Sequence, residues 1–264
     1  LESNVQNGLS IYPTRTGFNY VIAAAEIEGK RALLDATHKF TSPNILPLNT
    51  LNWKGRLVKK DGSSQEIELD PASQSKEIYT LIAKIEADGK MNGQARVQRT
   101  DYDAYSFREE NNTKTEDAYL EKFENKLGGL VISNYKIENQ KSNLDQSVVE
   151  TFTFASDSRS DIIGGKIFVN PLLFFTQSKN PFNQEKRQMP VYFGYKNLEK
   201  FTFSLEIPQG YTVESIPKPV RISSDDKKMS FILNFSISEN KIQIVSQKEI
   251  NSSIFAAEDY GMIK

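Results

Sequence analysis

Two short segments near the start of the chain carry the residue types that could do chemistry. The first runs from Gly17 to Ile22 and contains Tyr20, and the second runs from Leu33 to Thr37 and contains Asp35. A phenol beside a carboxylate forms a donor and acceptor pair, but a phenol with a pKa near ~10 is a poor general base at neutral pH. We therefore expect the Tyr20 hydroxyl to bond to Asp35 as a structural tie.

A β-hairpin is the element that would bring these two side chains together. Residues Tyr20 to Glu28 and Arg31 to Asp35 are β-prone, and Gly29 lies between them in a short turn. If the hairpin closes symmetrically about Gly29, Ile22 lies opposite Asp35, and Tyr20 becomes a diagonal neighbour of Asp35 within ~7 to 8 Å on the same face. The turn thus predicts the contact.

The sequence of these two segments resembles that of the bacterial transglutaminase-like superfamily of papain-type folds. The C-terminal part of that domain carries Phe-Asn-His-Val and then a hairpin that ends in Leu-Asp-Pro/Ala-Thr, and this chain has Phe18 to Val21 and Leu34 to Thr37 in those places. Shorter matches flank them: Asn7-Gly8, Tyr12-Pro13, Ile45-Leu46-Pro47 and Gly55-Arg56. The resemblance covers residues 1 to 60. It implies the end of a transglutaminase-like domain followed by a C-terminal β-domain.

The resemblance also implies which residues would be catalytic. In the family a cysteine nucleophile on an upstream helix is activated by the histidine of the first strand, which the aspartate of the second strand orients. Asp35 matches the orienting aspartate, whereas Tyr20 occupies the histidine position and the chain has no Cys. We therefore expect Tyr20 and Asp35 to be vestigial triad positions with no catalytic residue active. His38 lies past the paired part of the hairpin, so we expect a solvent-exposed loop histidine there.

Composition excludes several other classes of function. Lys plus Arg (33) against Asp plus Glu (34) gives a net charge of -1 over 264 residues, which disfavours nucleic acid as a partner. With no Cys and one His, we expect no cofactor and no metal. No apolar run approaches ~18 residues, so we expect no membrane span. The absence of an initial Met suggests a piece of a longer protein.

The remaining sequence predicts a mainly β (α+β) fold. Hairpin turns at Asp61-Gly62 and Asp88-Gly89, and period-two alternation such as Phe201 to Ile207, are typical of antiparallel strands. We expect an antiparallel β-sandwich over residues 61–264, with a helical segment at about 101–127 that includes a helix starting at Thr115. Residues 1–60 would be the hairpin portion of the incomplete domain. We expect one strand over Ile163 to Val169.

Two further groups of residues are candidate binding sites. The apolar run from Pro171, with the residues that follow it, is the best candidate for an interaction surface; the residues are Leu172, Leu173, Phe174, Phe175 and Phe182. The alternative is that the run enters the core, which is the commoner place for such side chains. The acids Asp101, Asp103, Glu109 and Glu110 lack the spacing of a calcium loop, and we expect them to form a solvated helical face.

These observations favour a non-catalytic structural or binding module of a bacterial transglutaminase-like protein. One alternative is a fragment of an active cysteine-type acyltransferase or peptidase whose nucleophile lies upstream. Another is a carbohydrate- or peptide-binding sandwich that uses Tyr192, Tyr195 or Tyr211 for stacking. The expected partners are the upstream domains of the same polypeptide, together with a protein or glycan of unknown identity. The resemblance alone implies a periplasmic or cell-surface location.

Overall fold

The structure is a computed structural model that describes residues 18, 20–71, 73–128, 130–157, 159–170, 172–173 and 179–264. Its strands, in chain order, are β1 (Ala23–Ile27), β2 (Lys30–Leu34), β3 (Lys54–Val58), β4 (Ser64–Glu68), β5 (Ser75–Ile85), β6 (Met91–Arg99), β7 (Val131–Glu138), β8 (Val148–Ser156), β9 (Ser160–Ile163), β10 (Lys166–Val169), β11 (Val191–Tyr192), β12 (Asn197–Glu206), β13 (Val220–Ser223), β14 (Met229–Ser238), β15 (Lys241–Ile250) and β16 (Ile254–Phe255). Its α-helices are α1 (Asp101–Asn111), α2 (Glu116–Lys126) and α3 (Tyr260–Ile263).

One large mixed sheet organises most of these strands. Its eight strands lie in the order β13-β14-β15-β12-β5-β6-β8-β7. The mainly β prediction is confirmed. Within this sheet β5 and β12 run parallel to each other, while the other neighbouring strands pair antiparallel. The parallel pair was not expected, because no local turn or alternation signals a partner so far away along the chain.

One face of the sheet carries the main hydrophobic core. On β5 every second side chain is buried, namely those of Tyr79, Leu81, Ala83 and Ile85. On β12 the buried side chains are Phe201, Phe203 and Leu205, which join the same cluster. Burying each large apolar side chain contributes about 1.5 to 3 kcal/mol. The shared cluster therefore joins strands that are distant in sequence.

The helical segment connects β6 to β7 and covers part of this core. It contains the two helices α1 and α2, and α2 starts after Thr115 as predicted. The hydroxyl Oγ1 of Thr115 accepts a hydrogen bond from the Ala118 N–H at 3.3 Å, as an N-cap residue does. Phe123 and Leu127, from α2 and its C-terminal end, pack into the core of the sheet. Among the described residues, no helix is both long and apolar enough to cross a lipid bilayer.

The first hairpin has the predicted register. Ala23 pairs with Leu34 and Ile27 pairs with Lys30, so the same register extended by one residue places Ile22 opposite Asp35. Leu33 and Ile22 pack against a second buried cluster, whose buried members are Phe40, Leu46, Leu51, Leu69, Tyr102 and Tyr105. Because Tyr102 and Tyr105 belong to α1, the hairpin region and the helical segment share apolar contacts. A domain division at residue 60 stays a prediction.

The prediction of one strand over Ile163 to Val169 is wrong. The chain forms the hairpin β9–β10 there, with Ile163 paired to Lys166 across Gly164 and Gly165. Both glycines have positive φ, 58° and 78°, which a residue with a side chain rarely adopts. The two glycines therefore reverse the chain where the sequence pattern was interpreted as continuous.

Candidate functional site

The predicted contact between Tyr20 and Asp35 is present. The Tyr20 hydroxyl donates to Asp35 Oδ2 at 2.5 Å. The other carboxylate oxygen, Oδ1, accepts from the backbone N–H and from the hydroxyl of Thr37, both at 2.7 Å. The two hydroxyl oxygens of Tyr20 and Thr37 lie 2.8 Å apart. The Asp35 carboxylate thus accepts three hydrogen bonds at the end of the β1–β2 hairpin.

The electrostatics of this pair hold the proton on the phenol. Burial and the bond to Asp35 raise the pKa of Tyr20. Burial alone would raise the pKa of the Asp35 carboxyl as well, but the hydrogen bonds from Tyr20 and Thr37 outweigh burial and lower it. At neutral pH the pair is therefore a neutral phenol bound to a carboxylate, which is the arrangement of a structural tie.

The loop that follows Asp35 is fixed by its own hydrogen bonds. Thr41 Oγ1 lies 2.5 Å from the backbone oxygen of Asp35 and 2.9 Å from that of His38. The His38 side chain is partly buried, where the sequence predicted solvent exposure. The Thr41 side chain therefore connects this loop to the backbone at the C-terminal end of the hairpin.

The predicted interaction run lies only partly among the described residues, since Phe174 and Phe175 fall outside them. Leu173 is 2% exposed and Leu172 packs against the main core. Phe182 packs in a separate cluster, where its ring lies 6.2 Å from Phe193 and 6.1 Å from Tyr260. For Leu173 the structure corresponds to the core alternative. An interaction surface built on the whole run stays a prediction.

A buried charged cluster beneath α2 was missed by the sequence reasoning. Glu150 on β8 is fully buried, and its carboxylate Oε2 pairs with Arg99 on β6. Oε1 of the same carboxylate accepts from the hydroxyls of Tyr119 at 2.5 Å and Tyr135 at 2.8 Å. Arg99 also donates from Nε to Glu77 Oε1 at 2.8 Å. A signal was available, because Glu150 has the same strand phase as the buried Phe152 and Phe154.

Burial and pairing act in opposite directions on the arginine of this cluster. Burial alone would lower the pKa of Arg99, but Glu150 and Glu77 outweigh it and raise the pKa. Burial, with the charge of Glu150 added to it, raises the pKa of Tyr119 and of Tyr135. The guanidinium also lies over the ring of Phe107, 4.5 Å from its centre. The cluster therefore contains one cation, two carboxylates and two neutral phenols.

Asp103 corrects the prediction of a solvated acidic face. It lies in the first turn of α1, where its Oδ1 accepts from the Tyr195 hydroxyl at 2.9 Å and its Oδ2 accepts from Asn197 Nδ2 at 2.6 Å. Burial is the main cause that raises the pKa of this carboxyl to about 7. In the sequence, Asp103 is close to Asp101, Glu109 and Glu110 and was grouped with them. Its inward position is explained by its contact with Asn197 of β12, which the sequence does not indicate.

The tyrosines considered for ligand stacking have different surroundings. Tyr195 is partly buried and stacks on Tyr102, with ring centres 5.1 Å apart. Tyr192 is exposed, and its hydroxyl donates to the Leu51 carbonyl at 3.1 Å. Tyr211 is partly buried and lines a groove of about 1030 Å³ between β10 and residues 207–217. Within the described part of the chain, no group of three or more His, Cys, Asp and Glu side chains could hold a metal ion.

Comparison with known protein families gives one match. Residues 165–264 match the family described as a "Domain of Unknown Function with solved-structure structure", DUF3858. The matched residues are fewer than half of the chain and include β10 to β16. No curated protein matches the chain.

One similar solved structure is that of a "putative protease" from Parabacteroides distasonis ATCC 8503. The two chains are 17% identical, and the similarity covers 90% of this chain with a TM-score of 0.41. The chain spans 31% of the length of that protein. A TM-score of this size supports no conclusion about the fold or the activity of this chain.

Proposed function

We propose that this chain is a non-catalytic structural or binding module from the C-terminal part of a bacterial transglutaminase-like protein. The observation that carries the proposal is the 2.5 Å hydrogen bond from the Tyr20 hydroxyl to Asp35. In the family that residues 1–60 resemble, this position is a histidine oriented by the aspartate. Here the phenol takes the place of the imidazole.

A phenol in this position cannot perform the work of the imidazole. An imidazole has two nitrogen atoms, so one can donate to the aspartate while the other accepts a proton from the nucleophile. Tyr20 has one oxygen, and burial with the Asp35 bond raises its pKa, so it stays protonated at neutral pH. The chain also has no Cys that could serve as the nucleophile. Neither the base nor the nucleophile of cysteine catalysis is supplied.

On this proposal the pair has a structural role at the end of the hairpin. Asp35 joins Tyr20 before β1 to Thr37 after β2, and Thr41 bonds the Asp35 carbonyl. Residues 1–60 would complete a transglutaminase-like domain and residues 61–264 would form the β-domain that follows it. The module would lie in the periplasm or at the cell surface, with upstream domains of the same polypeptide as its first partners.

Activity assays on the full natural polypeptide test the proposal. Amine incorporation into an acyl-donor peptide and peptide hydrolysis are measured for the wild type, for Asp35→Asn and for the control Asp61→Asn. Asp61 lies at the exposed β3–β4 turn, where its Oδ1 accepts from the backbone N–H and the hydroxyl of Ser63. We expect no turnover above the enzyme-free blank in any sample. A wild-type rate that falls at least about tenfold in Asp35→Asn, but not in Asp61→Asn, would make the chain part of an active enzyme and overturn the proposal.

A further inference from the structure

A cavity of about 460 Å³ lies between α1, α2 and the face of the large sheet. Lining residues recur at positions 103, 106, 107 and 110 on α1, and at 119, 122, 123 and 126 on α2. Both sets follow the i, i+3, i+4, i+7 spacing of one helical face. Two facing helix flanks therefore form the walls, and Glu77 and Arg99 contribute from the strands. The volume lies in the range of roughly 300 to 1,000 Å³ that is usual for small-molecule sites.

The side of the cavity next to the sheet is acidic. Arg99 is paired with both Glu77 and the buried Glu150, so one cation faces two carboxylates and the group has a net negative charge. Asp103 adds a third carboxyl from α1. Its oxygens accept one hydrogen bond each, from Tyr195 and from Asn197, which leaves acceptor capacity on both. A cationic group that donates hydrogen bonds would complement this side.

The α2 side of the cavity is basic and aromatic, whereas α1 contributes the acids Asp103 and Glu110. Lys122 and Lys126 line it from successive turns of α2, and Lys114 lines it from the loop that precedes α2. Like charges at i and i+4 repel each other, so an anion near Lys122 and Lys126 is favoured. Three aromatic rings also line the cavity, and the ring of Tyr119 lies 5.5 Å from that of Phe123 and 5.7 Å from that of Phe107. These rings offer an apolar surface.

We propose that this cavity binds a zwitterionic ligand, namely a short peptide with free termini. The ammonium group would bind Glu77 and Asp103, the carboxylate would bind the lysines of α2, and an apolar side chain would pack on the aromatic rings. Opposite charges on the two sides of one cavity distinguish this ligand from a simple anion, which only the lysines would attract. The inference goes beyond the proposed non-catalytic role and does not depend on it.

Isothermal titration calorimetry on the 264-residue chain tests the proposal with alanyl-phenylalanine, its N-acetyl form and its C-terminal amide. We expect the free dipeptide to bind and each blocked form to bind at least about tenfold more weakly, because each loses a charge-assisted contact. Lys122→Gln should weaken the free dipeptide but not its amide, while the exposed Lys136→Gln on β7 should change neither. No binding of the dipeptide at millimolar concentration, or equal binding of all three forms, would overturn the proposal.

The number of protons released when the dipeptide binds provides a second measurement. It does not require a variant of the buried Arg99–Glu150 ion pair. Asp103 faces Glu77 and Arg99 from the central strands and Glu199 and Tyr195 from the β12 side. Because burial raises the pKa of Asp103 to about 7, an ammonium bound beside it should displace its proton at pH 6. The binding enthalpy of the dipeptide should therefore vary with buffer ionisation enthalpy, and Asp103→Asn should abolish this variation. Proton uptake, or equal release with the N-acetyl form, would contradict the proposal.

Discussion

The end of the β1–β2 hairpin and the space beneath α2 contain the same kind of contact in different surroundings. At the hairpin, Asp35 accepts from Tyr20 in a partly exposed position. Beneath α2, Glu150 accepts from Tyr119 and Tyr135 where no part of its side chain is exposed. The pKa of the partly exposed Asp35 carboxyl is lowered chiefly by its hydrogen bonds, whereas the buried Glu150 carboxylate is accompanied by Arg99.

A third carboxyl shows what burial does when no cation bonds to it directly. Asp103 also accepts from a tyrosine hydroxyl, that of Tyr195, but its partners are otherwise neutral. Burial raises its pKa to about 7, in contrast to the lowered pKa of Asp35. The comparison indicates that neutral hydroxyl and amide donors are sufficient for a carboxylate near solvent, and that an inward-facing carboxylate needs a cation as well.

Removing the cation should have the largest effect. Arg99→Met leaves the buried Glu150 carboxylate without its ion-pair partner, and we expect a loss of roughly 3 to 5 kcal/mol in the free energy of unfolding. The control is Arg96→Met on the same strand, because Arg96 is exposed and bonds to Gln98. It should change stability by no more than about 0.5 kcal/mol. Urea denaturation measures both. Equal losses would contradict the comparison.

The second-largest effect should be the pH dependence that Asp103 contributes to the free energy of unfolding. Its pKa is 3.8 when unperturbed and about 7 in the folded chain, so between these values the folded state holds a proton that the unfolded state has released. Stability therefore falls as pH rises from about 4 to about 7, by on the order of 2 to 4 kcal/mol, and then levels off. Asp103→Asn should remove this part of the pH profile in urea denaturation. An unchanged profile would show that Asp103 ionises normally.

Removing one phenol from the buried cluster should have an intermediate effect. Tyr135→Phe deletes one of two hydroxyl donors to Glu150 Oε1, and we expect a loss of about 1.5 to 3 kcal/mol because the acceptor is charged and buried. Tyr119 remains as a donor, so the loss should be smaller than for Arg99→Met. Thermal and urea unfolding measure it. A loss as small as that of Tyr20→Phe would remove the distinction between the two regions.

The same substitution at the hairpin should have the smallest effect. Tyr20→Phe deletes one donor to Asp35, but Thr37 keeps two bonds to that carboxylate and solvent is close, so we expect a loss of less than about 1 kcal/mol. The pKa of Asp35 should rise toward its ordinary value, which carboxyl carbon NMR titration detects. The stabilisation from Asp35 is present above its unfolded pKa and is lost as pH falls through the lower folded value. An Asp35 pKa unchanged in Tyr20→Phe would show that the phenol is not its partner.

Local features of the fold could be predicted from the sequence. The turn at Gly29 was sufficient to give the register of β1 and β2, and with it the contact between Tyr20 and Asp35. Thr115 marks the start of α2, and the alternation from Phe201 to Ile207 matches the burial of every second side chain on β12. These features depend on residues within 15 positions of each other, where turn geometry and strand periodicity determine the outcome.

The buried ion pair could have been predicted, whereas the central pairing could not. Arg99 shares its strand phase with the buried Ala95 and Val97, and Glu150 shares its phase with Phe152. Two opposite charges that both point inward suggest a pair. By contrast, no local pattern indicates that β12 lies beside β5. The inward position of Asp103 follows from that pairing, because Asn197 begins β12 and Tyr195 lies two positions before it.

The parallel pairing of β5 with β12 also determines the order in which the chain can complete its sheet during synthesis. Ile85 ends β5 and Asn197 begins β12, 112 positions later. At roughly 5 to 20 residues per second, a ribosome needs on the order of 10 s to make that stretch. Until then the edge of β5 has no partner, and an unpaired edge can pair with another chain. The residues 165–264 that match DUF3858 contain β12 without β5, so that segment made alone would keep a ten-residue strand open at its edge.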